Sequence, residues 1–164
     1  DIVVNNAGYA KRTPVQDITT EEFDDIVAIN MRSVFLSCQV FADHMRSNGW
    51  GRIVNIASIA GQNGGTVAAA PYAAAKAGAT MLSKYFAQQL AGTGVTVNAI
   101  APGPTSTAKG RLSQDQIERT EKPAPSGRFG EASEFAAAVA LLASDQGGFF
   151  VGATLDMNGG LFMR

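Results

Sequence analysis

Four short runs of strand-forming residues, set apart by long helical stretches, constrain this chain more than any other feature. The runs are Ile2 to Asn5, Arg52 to Ala57, Val95 to Ile100 and Ala153 to Met157. Antiparallel strands can be joined by a tight turn, whereas parallel strands need a long crossover, usually a helix. The spacing therefore predicts an α/β fold with a parallel sheet and helices covering it. Ile53-Val54-Asn55-Ile56 and Val95-Thr96-Val97-Asn98-Ala99-Ile100 are short and β-branched, as strands buried in such a sheet should be.

The helical stretches have readable ends. Thr19-Thr20-Glu21-Glu22 is a capping pattern with an acidic first turn. Phe23, Ile26, Val27, Ile29, Val34, Phe35 and Cys38 then recur at helical spacing, and Gly49 closes the helix. A second helix is expected from Pro71 to Ala91, stopped by Gly92 and Gly94; its many Ala residues allow close approach to a neighbour. A third covers Ala132 to Ala143, with Phe135, Val139 and Leu142 on one stripe. Between Pro102 and Gly130 there is no strong periodicity, although Ser113 to Thr120 can form a short helix.

A length of 164 residues predicts a single domain, 1–164, able to bury a core. The net charge is −1 and no Lys/Arg cluster stands out, so neither nucleic acid nor a membrane surface has an electrostatic footprint. Cys38, the one cysteine, cannot form an internal disulfide and is expected to pack. No secretory signal is read, nor an apolar run of membrane-spanning length, which points to the cytoplasm. No metal-ligating set is read. The opening Asp1-Ile2-Val3-Val4-Asn5 looks like a strand already under way, so an upstream segment is expected.

Tyr72 and Lys76 stand four apart on the second helix, hence on one face. An ammonium beside a phenol stabilises the phenolate and lowers its pKa, and such a Tyr can exchange a proton with a carbonyl oxygen. The plain alternative is a surface Tyr and Lys. Ser58 follows the second strand at its carboxyl end, where ligands bind in open parallel sheets; a turn serine is the alternative. Asn30 interrupts the first helix, and its plain reading is a polar side chain satisfied by solvent. Asn5-Asn6-Ala7-Gly8 and Pro102-Gly103-Pro104-Thr105 end the first and third strands with small or stiff residues that a flat ligand could approach.

In order and spacing, NNAG at Asn5 to Gly8, the helical Asn30, GRIVNIAS ending at Ser58, YAAAK at Tyr72 to Lys76, VNAIAPG ending at Gly103 and GATLDMNGG resemble the short-chain dehydrogenase/reductase family. The likeness spans nearly the whole chain and is nearest to the branch that reduces 3-oxoacyl thioesters. It implies the C-terminal part of a Rossmann-like, doubly wound parallel sheet, about four strands with flanking helices. It also implies an oxidoreductase using NAD or NADP to interconvert a ketone and a secondary alcohol. By that resemblance Tyr72 is the general acid/base, Lys76 lowers its pKa and holds the nicotinamide ribose, and Ser58 positions the substrate oxygen. Asn30 supports a proton-relay water. Asn6, Ala7, Gly8, Pro102, Gly103 and Thr105 line the cofactor. The family commonly assembles through its two long helices, so a homo-oligomer, a dimer or tetramer, is expected.

Three departures accompany the likeness. Family members carry a strand and a TGxxxGxG turn about eighty residues ahead of NNAG, and this sequence has neither. Tight binding of free dinucleotide is therefore not expected of these residues alone, and the choice of NAD or NADP cannot be read. The Ser58 to Tyr72 interval is one residue longer than in the nearest branch. Gly49 and Thr93 stand where that branch has the arginines that meet its acyl carrier protein. The alternative to an active oxidoreductase is a truncated, inactive fragment that folds as an oligomer.

Overall fold

The computed structural model describes residues 1–65 and 69–164, with the side chains of 108, 109 and 111 left aside. Four parallel strands form one sheet in the order β1 (Ile2–Asn5), β2 (Gly51–Ile56), β3 (Val95–Pro102) and β4 (Thr154–Met157). Val3 stands opposite Ile53, Ile53 opposite Val97, and Ala101 opposite Asp156. β3 continues two residues past Ile100 and ends at Pro102, which has no N–H to extend the ladder.

The expected helices form with small shifts at their ends, and one further short helix joins them. They are α1 (Thr20–Val27), α2 (Ser33–Ser47), α3 (Ala60–Asn63), α4 (Ala70–Gln89), α5 (Gln114–Glu121) and α6 (Ala132–Ala143). Thr19 caps α1 by accepting from the Glu22 N–H at 3.2 Å. Ser113 and Gln116 make a reciprocal capping box at α5. α1 and α2 are one continuous rod, joined by a π-helical turn over Ala28–Arg32 that periodicity did not reveal. The short α3, which follows β2, was not anticipated either.

Strand alternation sends Ile53 and Val97 to one face of the sheet, where Val34, Cys38 and Met45 of α2 and Ala79 and Phe86 of α4 close over them. Val54 and Ile100 face the other way, against Leu142 and Val139 of α6. Phe135 is not in that cluster; its ring lies against Gly130 instead, where a Cβ would come within 2.6 Å of it. Cys38 packs as expected, and burial pushes its thiol up to about 11.

The rod Thr20–Ser47 is 28 residues long with a stretch of mean hydropathy 1.2, long and apolar enough by length and composition to cross a membrane. Its stripe of Ile26, Val34, Cys38, Ala42 and Met45 is buried within the fold.

The backbones of α3 and α4 approach each other closely. A Cβ on Gly61 would lie 2.5 Å from the Ala77 nitrogen and 2.6 Å from the Lys76 carbonyl carbon, both backbone atoms that cannot rotate away. Gly61→Ala should therefore destabilise the protein by about 1–2 kcal/mol, the overpacking penalty outweighing the better helix propensity of Ala. Urea unfolding measures this, and an unchanged midpoint would show that α3 slides freely on α4.

Candidate active site

β2 delivers Ser58 to the carboxyl end of the sheet, and α4 carries Tyr72 and Lys76 past the same end. Ser58 Oγ accepts from the Ala60 N–H at 3.1 Å and so starts the α3 turn. Its hydroxyl also bonds the Tyr72 side chain, which lowers the phenol pKa, but burial is the larger effect and leaves Tyr72 above its ordinary 10.0.

Lys76 is 4% exposed. Its Nζ donates to the Ile56 carbonyl at 2.7 Å and lies 5.6 Å from the centre of the Tyr72 ring. Burial pulls its pKa down from 10.5 to about 8. The expectation that Lys76 lowers the Tyr72 pKa is thus corrected for the unliganded protein. Desolvation acts on both groups in the direction of their neutral forms, and the opposing pull on Tyr72 comes from Ser58.

Asn30 belongs to the π-helical turn, where the Ser33 N–H reaches back five residues to the Ala28 carbonyl. Such turns recur at functional sites. The side chain is fully buried, which excludes satisfaction by solvent. Its Nδ2 donates to the carbonyls of Tyr9 and Ile26, each at 2.9 Å. Its Oδ1 is buried without a donor among the described residues. Asn55 and Asn98 are also fully buried, yet both ends of their amides are paired. The open acceptor distinguishes Asn30 from these two.

Gly8 brings the pieces together. A Cβ there would sit 2.6 Å from Asn30 Oδ1 and 3.2 Å from Lys76 Nζ, so both polar atoms face the space its missing side chain leaves. The exposed Asn6 and Ala7 precede it. At the end of β3, the Pro102 carbonyl accepts from the Ile59 N–H at 2.9 Å and the Gly103 N–H donates to the Met157 carbonyl at 2.8 Å. Those two groups hold the loop in place, and Thr105 pairs with Gly130 while its Oγ1 meets Thr107 Oγ1 at 3.0 Å. The interval between Ser58 and Tyr72 runs through residues 66–68, so its extra length lies outside the described residues. Sequence reading missed the Asn5–Asn55–Ser83 chain beneath the site; its only signal was polar residues inside β-branched or alanine-rich runs.

Known proteins match along almost the whole chain. A family profile described as Enoyl-(Acyl carrier protein) reductase matches residues 1–162. An acetoacetyl-CoA reductase from Rhizobium meliloti (strain 1021) is 42% identical over 99% of this chain and 68% of its own length. A 3-oxoacyl-(acyl-carrier-protein) reductase, FabG, from Escherichia coli (strain K12) is 43% identical over 99% of this chain and 67% of its own. Among solved structures, an Agrobacterium tumefaciens protein assigned as a 2-deoxy-D-gluconate 3-dehydrogenase, with bound NADP, superposes with a TM-score of 0.93. It is 33% identical over 100% of this chain and 68% of that one. Another from that organism, assigned as a gluconate dehydrogenase, has a TM-score of 0.92 at 28% identity over 98% of this chain and 64% of that one. The chain thus spans about two thirds of the length of these proteins.

The depressed Lys76 pKa has a measurable consequence. Below about pH 8 the amine is charged in both folded and unfolded states and contributes no pH slope. Between about pH 8 and 10.5 the unfolded chain binds a proton that the folded one lacks, so stability rises with pH, by on the order of 3 kcal/mol in all. Cys38, pushed up to about 11, acts in the opposite sense above its ordinary 9.0. Lys76→Met should remove the rise while keeping the Cys38 contribution. Urea unfolding of both proteins from pH 7 to 9 tests this, and parallel stability curves would refute the burial cost assigned to Lys76.

Proposed function

Because the chain belongs to the short-chain dehydrogenase/reductase family, whose members are NAD(P)-dependent oxidoreductases, we propose that it reduces 3-oxoacyl thioesters or kindred small ketones. The observation that carries the reading is the convergence of Ser58, Tyr72, Lys76, Asn30 and Gly8 at one end of the sheet. Residues 1–164 act in it as one catalytic domain, in the cytoplasm.

These residues fit the nicotinamide end of a dinucleotide. Gly8 leaves a space that any side chain would fill, Asn30 Oδ1 lacks a donor, and Lys76 Nζ has one close carbonyl for its three N–H groups. Asn6, Ala7, Pro102, Gly103 and Thr105 would border the ring. When bound, the cofactor supplies the hydride. The chain's own work is to hold and move the proton. Ser58 fixes the substrate carbonyl oxygen through its hydroxyl. Tyr72, kept protonated by burial, gives its phenolic proton to that oxygen as charge develops there. Lys76, anchored on the Ile56 carbonyl, holds the ribose and lends positive charge to the emerging phenolate. Asn30 orders a water that returns the proton. An inactive fragment is not favoured, since the relatives matched along nearly the whole chain are reductases.

A second copy of the chain completes the reading. Phe35, Leu36, Val40 and Phe41 of α2 and Met81 and Tyr85 of α4 are exposed. The Phe35 ring of α2 lies 6.0 Å from that of the buried Phe86 of α4, so the two helices that carry these residues are neighbours. Apolar patches of this kind mark association sites.

Tyr72→Phe should lower kcat for NADPH- or NADH-dependent reduction of acetoacetyl-CoA by about a hundredfold to ten-thousandfold, since it removes the donor while keeping the ring. Near wild-type turnover in that variant would sink the assignment. Val40→Arg, at a position 66% exposed, should halve the assembly or reduce it to monomers in light scattering. An unchanged mass would place the contact elsewhere.

A further inference from the structure

Asp156, in β4 opposite Ala101, lies at the same end of the sheet as Ser58 but is not among the residues placed in the reaction above. Its carboxylate accepts from Arg164 Nε at 2.8 Å and Nη2 at 2.9 Å, a two-pronged pair. It also accepts from Gln62 Nε2 at 2.5 Å. Asp156 is an exposed residue whose side chain, folded against its partners, is 23% exposed. Arg164 is the largest influence holding its pKa below the usual value, so it stays ionised at neutral pH and remains an acceptor.

Gln62 belongs to α3, and the bonds of that turn lead back to Ser58. The Ala60 N–H donates to Ser58 Oγ at 3.1 Å and the Gly61 N–H to the Ser58 carbonyl at 3.0 Å. The Gln62 N–H follows, donating to the Ile59 carbonyl at 2.9 Å. Gly61 presses the turn against the α4 backbone. Gln62 ties it to β4. The amide directs its N–H at the carboxylate although its Oε1 is then buried without a donor among the described residues. A neutral group that accepts such an orphan in order to reach a charge is held firmly by that charge.

We propose that Asp156, clasped by Arg164, is a positioning residue that fixes Ser58 through Gln62 and the α3 turn. The inference rests on the reduction proposed above, in which the Ser58 hydroxyl must meet the substrate oxygen in register with Tyr72. A small displacement of such a group has a large kinetic effect.

Steady-state kinetics and amide hydrogen exchange on the whole protein test it, with acetoacetyl-CoA and NADPH as probes. Gln62→Ala and Asp156→Ala should each lower kcat about tenfold while KM for NADPH holds. The double variant should be no worse than either single one, because both break the same link. Asp156→Asn keeps an acceptor for Gln62 and should retain most of the turnover. Independently of activity, the Ala60 and Gly61 amides should exchange about tenfold faster in Asp156→Ala. Wild-type kcat in Asp156→Ala, unchanged exchange at those amides, or losses that multiply in the double variant would each overturn the proposal. Tyr72→Phe measured alongside separates the two readings. Its retained activity would remove the proposed reaction, whereas an inactive Tyr72→Phe beside an unaffected Asp156→Ala removes only the positioning role.

Discussion

The hydrogen bond from Lys76 Nζ to the Ile56 carbonyl, 2.7 Å long, is the contact on which the arrangement of this molecule turns. It brings an amine from the middle of a long helix to the last residue of a central strand, two residues before Ser58. To make that reach, α4 must lie close to the sheet, and its run of alanines permits it: Ala73, Ala75 and Ala79 are all buried. The same closeness leaves no room for a side chain at Gly61 and little at Gly8. Small residues at three separate places in the chain, α4, Gly61 and Gly8, thus accompany one buried amine.

Burying polar groups obliges the fold to account for each of them. Asn55 accepts from Asn5 at 2.7 Å and donates to Ser83 at 2.8 Å, lacing β1, β2 and α4 together. Asn98 does the same for β3 and the segment leading into β4, through Phe150 and Ala153. In these two asparagines the amide oxygen and the amide nitrogen both have a partner within the fold. Asn30 is held as firmly, by two carbonyls, yet keeps an acceptor free beside Gly8. A rigid side chain with one unanswered group is what a ligand site needs, and the π-helical turn is the local distortion that accommodates it.

Much of this was legible before any coordinates, for reasons that differ by element. The strands are readable because β-branched runs flanked by turn residues have few other ways to fold, and β1 and α6 fall where the pattern puts them. α4 is readable from Pro71 and from Gly92 and Gly94, whose positive φ of 76° and 79° lie beyond the helix end. The π-helical turn is not, because one extra residue in a turn hardly disturbs an apolar stripe. Nor is the burial of Asn30, since helix periodicity gives a face but not its depth. The direction of the Tyr72 shift was misjudged for a similar reason. Spacing shows that a lysine is near, but only packing shows that the lysine is itself desolvated and bonded to Ile56. Asp156 escaped notice because Gln62 is far away in sequence and Arg164, eight residues on, forms no periodic pattern with it.

The two perturbed groups give the site a direction. Burial favours the neutral form of both groups: it holds the Tyr72 phenol, already protonated at neutral pH, further from ionising, and it brings the Lys76 amine down to about 8. Tyr72 therefore waits in the form that can give a proton, while Lys76, with its pKa near 8, stays charged at neutral pH but close to the point of losing its proton. In the reduction proposed above, negative charge would appear on Tyr72 as its proton leaves, and an ammonium 5.6 Å from the ring would then gain a partner in a dry environment where attraction is strong. The desolvation that weakens Lys76 in the resting protein is the same desolvation that amplifies its effect once the phenolate forms. Oxidation would start from the opposite charge state, with the phenolate already present, and burial opposes that start. The burial of Tyr72 and Lys76 thus suits the reductive direction proposed above.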